Sequence, residues 1–180
     1  MNDGVQVRPA TVDDARGIAR VLVDGWKTTY DGILPAAFLA SFTYDGHEAA
    51  TRQHLAQLQP STAAFVAVDD RNSVLGVALV RTAQEQGAEF AAELDAIYVL
   101  PSAQRRGVGR CLLSAVARWL DDRGHSSMSV WVVRGNRHRT FYERMGAELL
   151  DAQRQQDFGG VNIALVGYAW RDLGALRARD

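Results

Sequence analysis

One cysteine, Cys111, and four histidines are all this 180-residue chain offers as soft metal ligands. None stands at ligand spacing, so no structural zinc and no other metal is expected. A lone thiol excludes an internal disulfide and points to a reducing compartment. Charge of one sign is missing too: 20 Lys plus Arg against 21 Asp plus Glu leave a net of -1, without the basic field that draws a protein to nucleic acid. No stretch approaches the ~20 consecutive apolar residues of a membrane span. The start, with Asp3 and no apolar run, lacks the form of a secretory leader. Repeats and low-complexity tracts are absent. The expectation is a cytoplasmic protein that partners neither nucleic acid nor membrane.

What is present is an ordinary core-forming composition, 47% apolar and 23% charged, at a length that suits one domain over residues 1–180. Val5 to Arg8 reads as a short strand ended by Pro9. Thr11 followed by Asp14 resembles a capping box, and Ala15, Ile18, Ala19, Leu22 and Trp26 recur behind it at helical spacing. A turn at Asp31-Gly32 precedes Pro35, placed as a first helical residue, and His47 to Leu58 reads as another helix. The period then changes. Ala63–Val68 and Val74–Arg81 read as a hairpin around a turn at Asp69–Ser73, and Gln84–Ala88 as loop. Phe90–Leu100 is a third strand.

Val108, Cys111, Leu112, Ala115, Val116 and Trp119 form one apolar stripe, an amphipathic helix capped at Arg123-Gly124. Met128–Val133 reads as a buried strand. Asn136 is placed as N-cap of a short helix carrying Phe141, Tyr142 and Met145. Two strands close the chain, near Ala147–Gln153 and Asn162–Trp170. The order implies an α/β (α+β) fold: a mixed, mostly antiparallel sheet of about seven strands with helices on both faces.

The segment Gln104-Arg105-Arg106-Gly107-Val108-Gly109-Arg110 lies between a strand and that helix. A helix N-terminus presents unpaired N–H groups and the positive end of its dipole. Gly107 and Gly109 let an anion reach the backbone, and Arg105, Arg106 and Arg110 add charged donors. A diphosphate suits the place. A P-loop needs Lys-Ser/Thr where Arg110-Cys111 stands, and a dinucleotide-binding turn needs glycine where Leu112 stands. Neither motif is present.

These residues resemble the Gln/Arg-x-x-Gly-x-Gly/Ala signature of the GNAT family of N-acetyltransferases. Leu94–Pro101 is similar to the family's fourth strand, and Asn136 to Gly146 to its Asn-x-x-x-x-Phe-Tyr-x-x-x-Gly segment. The opening Val7-Arg8-Pro9-Ala10-Thr11 with Asp14 is similar to its usual start. The resemblance runs over nearly the whole chain, in order. It implies that acetyl-CoA is the cosubstrate. Residues 104–110 would hold its diphosphate, backbone groups of Ile97, Tyr98 and Val99 would pair with the pantetheine arm like an added strand, and Asn136 would contact it from the next helix. It also implies a bulge in that strand and Tyr142 near the sulfur. Arg139 and Ala147 depart from the family pattern, which has small and aromatic residues there. Self-association is expected on family grounds alone.

Direct transfer needs a neutral amine. An alkyl amine of pKa near 10.4 is about 1 part in 10³ neutral at pH 7, a cost of roughly 4–5 kcal/mol; an α-amino group near 8 costs about 1.4 kcal/mol. Glu93 is the first candidate base and Asp95 the second. Tyr142 is the candidate acid for the leaving thiolate, and Val99 N–H the donor to the carbonyl oxygen. Trp26 and Tyr30, four apart, would line the acceptor side, Tyr30 ahead of Trp26. Cys111, on the apolar stripe, is read as packing rather than as a nucleophile. The enzyme reading stands beside a non-catalytic acetyl-CoA-binding sensor, which Tyr142 and Glu93 argue against. A dinucleotide oxidoreductase is disfavoured by Leu112.

Overall fold

The described residues form seven strands, mostly short apolar runs: β1 (Gln6–Pro9), β2 (Thr62–Val68), β3 (Val74–Thr82), β4 (Ala92–Val99), β5 (Met128–Val133), the largely polar β6 (Glu148–Asp157) and β7 (Asn162–Trp170). They make one sheet in the order β1-β2-β3-β4-β5-β7-β6, every pairing antiparallel except β4 with β5. The structure is a computed structural model that describes residues 4–85 and 87–177; the leader reading at Asp3 and Gln86 of the expected loop lie outside the described residues. Among the described residues no helix is long and apolar enough to cross a membrane.

The described residues also form six α-helices, α1 (Ala15–Tyr30), α2 (Ala36–Ala40), α3 (Tyr44–Ala56), α4 (Val108–Asp121), α5 (Thr140–Arg144) and α6 (Gly174–Arg177), and two short 3-10 turns at Val12–Asp14 and Pro101–Ala103. The two faces of the sheet are fixed by close approaches. A Cβ on Gly25 of α1 would lie 2.7 Å from the Tyr98 ring, and one on Gly76 of β3 would lie 3.1 Å from Leu112 of α4. Gly76 pairs with Val99 and Val77 with Tyr98, so α1 and α4 cover opposite faces.

Several boundaries differ from expectation, each for a local reason. The third helix begins three residues earlier, because the Thr43 side chain accepts the Gly46 N–H and starts it at Tyr44. Pro35 is the N-cap of α2, extended at ψ 132°, rather than its first helical residue. Asn136 does not cap α5. It accepts the His138 N–H at 2.8 Å and closes the preceding turn, and the helix starts at Thr140. The stripe of α4 is wider than the spacing implied, with Leu113, Ala117 and Leu120 also buried, since α6, with its Leu176 and the preceding Leu173, packs against that helix. The sequence showed no sign of α6.

Asp14 anchors the start of α1. It takes Arg8 in a two-pronged pair at 2.7 and 2.8 Å and accepts the Thr11 N–H at 2.8 Å, as the Thr11/Asp14 spacing predicts. The Arg8 guanidinium, foremost, holds the Asp14 carboxyl below its ordinary range. A depressed folded pKa contributes stability that is present above the unfolded value near 3.9 and is lost as pH falls through the folded one. Asp14→Ala is expected to cost about 2–3 kcal/mol at pH 7, the lower end for a broken pair because Arg8 stays partly solvated. Denaturant unfolding measures it, and the gap to wild type should narrow as pH falls below about 4.

Candidate active site

β4 and β5 pair only at Glu93 with Ser129 and Leu94 with Val130. Beyond Leu94 the two strands part, and the rest of β4 has a partner on one side only, β3. Leu100 N–H donates to Leu75 O at 2.9 Å. By the alternation of an antiparallel ladder, Tyr98 also turns its N–H and C=O to β3, while those of Ile97 and Val99 point to the open edge. Of the three residues expected to offer backbone groups, Ile97 and Val99 turn theirs to the open edge and Tyr98 turns its own to β3. Gln104 Nε2 donates to Val99 O at 3.1 Å and ties the following loop to this edge.

A bulge stands where β4 leaves β5. Leu79 pairs with Ala96 and Val80 with Leu94, which leaves Asp95 unmatched. The extra residue changes which side chains share a face. Glu93 and Asp95 before it, and Ala96 and Tyr98 after it, all lie on the α1 side.

The glycine-rich turn opens onto the same edge. Gly107 is the N-cap of α4 at φ 82°, and Arg105 holds φ 60°. The Cys111 N–H reaches Gly107 O at 3.1 Å, so the N–H groups of Gly107, Val108, Gly109 and Arg110 point out of the helix end. Gly109 is where Phe141 of α5 seats, since a Cβ there would lie 3.1 Å from its ring. Gln104, Arg105, Arg106 and Arg110 are exposed, while the Val108 side chain is in the core and leaves only its backbone for a ligand. The turn has the composition and the unpaired donors that a diphosphate needs.

Three tyrosines meet at the fork between β4 and β5. Tyr98 donates to the Tyr30 hydroxyl at 3.4 Å, and Asn136 Nδ2 donates to the same oxygen at 3.5 Å. Tyr142 of α5 stacks on Tyr168 with ring centres 5.7 Å apart. Burial pushes the Tyr142 hydroxyl well above its ordinary value, with Tyr30 and Tyr168 adding to it; burial also raises Tyr98 and Tyr30. All three phenols stay protonated across neutral pH and act as hydrogen-bonding groups.

On the α1 face Trp26 is the centre of an aromatic cluster. Its ring lies 4.9 Å from both Tyr30 and Phe42, and 6.1 Å from Phe38, Tyr98 and Phe158. Trp26 is half-buried and Tyr30 only 6% exposed. Trp26 is thus the more accessible of the two, and Tyr30 lies further in, against Asn136. Phe158, from the β6–β7 turn, and Phe38 and Phe42, around α2, were not anticipated. Their one sequence signal is Phe158 beside the Gly159-Gly160 turn. Cys111 is half-buried, consistent with packing.

Glu93 and Asp95 stand on this face with arginines. Arg81 Nη2 lies 2.8 Å from Glu93 Oε1 and its Nη1 3.2 Å from Asp95 Oδ1, and Arg154 Nη1 lies 3.3 Å from Glu93 Oε2. Arg154 in turn covers the Trp131 ring at 3.9 Å.

A family model described as Acetyltransferase (GNAT) family matches residues 27–147. A protein of Bacillus subtilis (strain 168) described as the uncharacterized N-acetyltransferase YuaI is 37% identical over 173 residues, 96% of each chain. PaiA N-acetyltransferase from Thermoplasma acidophilum, solved in complex with coenzyme A, superposes with a TM-score of 0.69 at 18% identity, over 90% of this chain and 97% of that one. Ribosomal-protein-alanine N-acetyltransferase from Brucella melitensis gives 0.68 at 18% identity, over 92% and 98%. At such identities the two structures speak to the fold, and they share it.

Proposed function

The chain belongs to the acetyltransferase (GNAT) family and is an acyltransferase, and from that premise we propose that it moves the acetyl group of acetyl-CoA directly to a primary amine of a small molecule or peptide. The observation that carries this reading is the open edge of β4. A strand with unpaired N–H and C=O groups, ending at a helix N-terminus with unpaired N–H groups, suits an extended ligand that has amides along its arm and a diphosphate at one end. Acetyl-CoA has that form, and its thioester supplies an activated acyl carbon.

The chain's residues divide the work. Backbone N–H groups across residues 105–110, with the Arg105, Arg106 and Arg110 guanidinium groups, hold the diphosphate, and Gln104 fixes the loop on Val99. Ile97 and Val99 pair with the arm, and Asn136 borders it from the β5 side. Because the thioester is at the end of the arm away from the diphosphate, the reading favours the Ile97 N–H over that of Val99 as the donor nearest its carbonyl oxygen. That N–H, held by the strand, stabilises the charge developing on the oxygen. The Tyr142 hydroxyl donates to the leaving sulfur. Trp26 and Tyr30 border the acceptor, and a carboxylate on their face takes the amine's proton.

The test is free-thiol release from acetyl-CoA by the purified protein against polyamines, amino acids, aminoglycosides, arylamines and short peptides with free N-termini. Turnover with one class establishes the reaction and names the acceptor type. Tight acetyl-CoA binding with no thiol release from any of them would favour a sensor instead.

A further inference from the structure

We propose that Asp95, the bulge residue of β4, takes the proton from the acceptor amine, and that Arg81 is the positioning residue that holds it in place. The inference rests on the acetyltransferase reading above and decides between its two candidate bases.

Glu93 is the acid the sequence put first, yet both its oxygens are occupied. Arg81 approaches one at 2.8 Å and Arg154 the other at 3.3 Å. Both are charge-assisted contacts, the Arg81 one of ideal length and the Arg154 one longer, and a proton arriving at Glu93 would have to displace one of them. Asp95 has a single arginine contact, at 3.2 Å on Oδ1, its side chain is 34% exposed, and among the described residues no hydrogen bond or ion pair engages Oδ2.

Position points the same way. The residue whose N–H faces the thioester carbonyl is Ile97. Asp95 precedes it by two residues and Glu93 by four, and a strand rises about 3.3 Å per residue. The bulge adds the decisive step: it turns the side chains of Asp95, Ala96 and Tyr98 onto one face, whereas strict alternation would put Asp95 opposite Tyr98. The carboxylate thus stands on the α1 side of the sheet, where Leu79, the cross-strand partner of Ala96, lines a groove of about 250 Å³ with Ile18, Leu22 and Leu55, rimmed by His47, Thr51 and His54.

The charged groups around Asp95 are Arg81 from β3, Glu93 from its own strand and His54 from α3, with Arg154 of β6 reaching Glu93. Partial burial raises the Asp95 carboxyl, Arg81 and His54 lower it, and Glu93 raises it again; the net direction is upward. A carboxylate moved toward neutrality is a better match for proton abstraction than an ordinary one.

The step balances as follows. The acceptor ammonium gives one proton to the Asp95 carboxylate, directly or through a water, and the freed nitrogen lone pair bonds the thioester carbon. The C–S bond breaks with its electron pair on sulfur. The second nitrogen proton reaches that sulfur through water while the Tyr142 hydroxyl hydrogen-bonds it, giving amide and free thiol. Asp95 then returns its proton to solvent.

The test begins without acetyl-CoA. A ¹³C NMR titration of side-chain carboxyls should find Asp95 above the ordinary aspartate range, and Arg81→Met should move it higher. With acetyl-CoA and the fastest acceptor of the panel, Asp95→Asn should lower kcat/KM about 10²-fold at pH 7 with unchanged acetyl-CoA affinity, and Glu93→Gln far less. Arg81→Met should shift the acid limb of the pH profile upward and Arg81→Lys restore part of it; a merely structural role would lower kcat at every pH and leave the limb in place. A wild-type-like Asp95→Asn beside an inactive, folded Glu93→Gln would overturn the proposal while leaving the acetyltransferase reading intact. A wild-type protein that turns over no amine would overturn both.

Discussion

Gly107→Val is expected to weaken acetyl-CoA binding by roughly 30- to 100-fold. Gly107 is held at φ 82° as the N-cap of α4, a conformation that costs an ordinary residue about 1–2 kcal/mol, and a β-branched one more. A valine relieves that strain by turning the peptide away, which misdirects the N–H groups that receive the diphosphate, and its methyls stand where the anion must approach. Losing about one charge-assisted bond of this kind is worth about 2–3 kcal/mol, at 1.4 kcal/mol per tenfold. Calorimetry reads the change. Gly124→Val, at the far end of α4 with φ 75° and open space around it, is the control: it should lower the melting temperature and leave affinity as in wild type. Equal affinity in Gly107→Val would contradict the diphosphate assignment.

Tyr142→Phe is expected to reduce kcat about 10²-fold while the acetyl-CoA dissociation constant stays within about twofold. The ring contacts that seat Tyr142, with Tyr168, Phe141 and Trp170, survive the substitution, so the fold and the arm's channel remain. Only the hydroxyl goes. Burial holds that hydroxyl above its ordinary pKa, and a thiol near 8.5 is the stronger acid of the two. Tyr142 therefore acts by hydrogen-bonding the departing sulfur rather than by surrendering its proton outright. The basic limb of the pH profile should for the same reason not report Tyr142. Steady-state kinetics with parallel calorimetry separate the two effects, and unchanged kcat would remove Tyr142 from the chemistry.

Legibility in the sequence followed how local each signal is. The turn at residues 104–110, the stripe of α4 and the limits of β7 were readable because each is written in contiguous residues with a strong period or with glycines of steric meaning. The bulge came only through family resemblance, since one extra residue in a strand leaves no mark in a pattern of mixed burial. β6 runs four residues past its expected end, and its face gives the reason: nearly every residue of Glu148–Asp157 is exposed, so no apolar alternation announces it. The site's second half depended on register. Arg81, Glu93 and Asp95 converge because β3 pairs with β4 in one particular alignment, and Phe38 and Phe42 from around α2 and Phe158 from the β6–β7 turn gather around Trp26. Spacing along the chain carries no record of such meetings.

The claim on which the account depends is that the ligand takes the place of a strand along the free edge of β4. Residue-resolved amide hydrogen exchange, with and without acetyl-CoA, tests it most directly. Tyr98, already bonded to β3, should be protected in both states. Ile97 and Val99 should exchange freely in the unliganded protein and slow by at least tenfold when acetyl-CoA is present. Bound acetyl-CoA that leaves the Ile97 and Val99 amides exchanging as before would contradict the account.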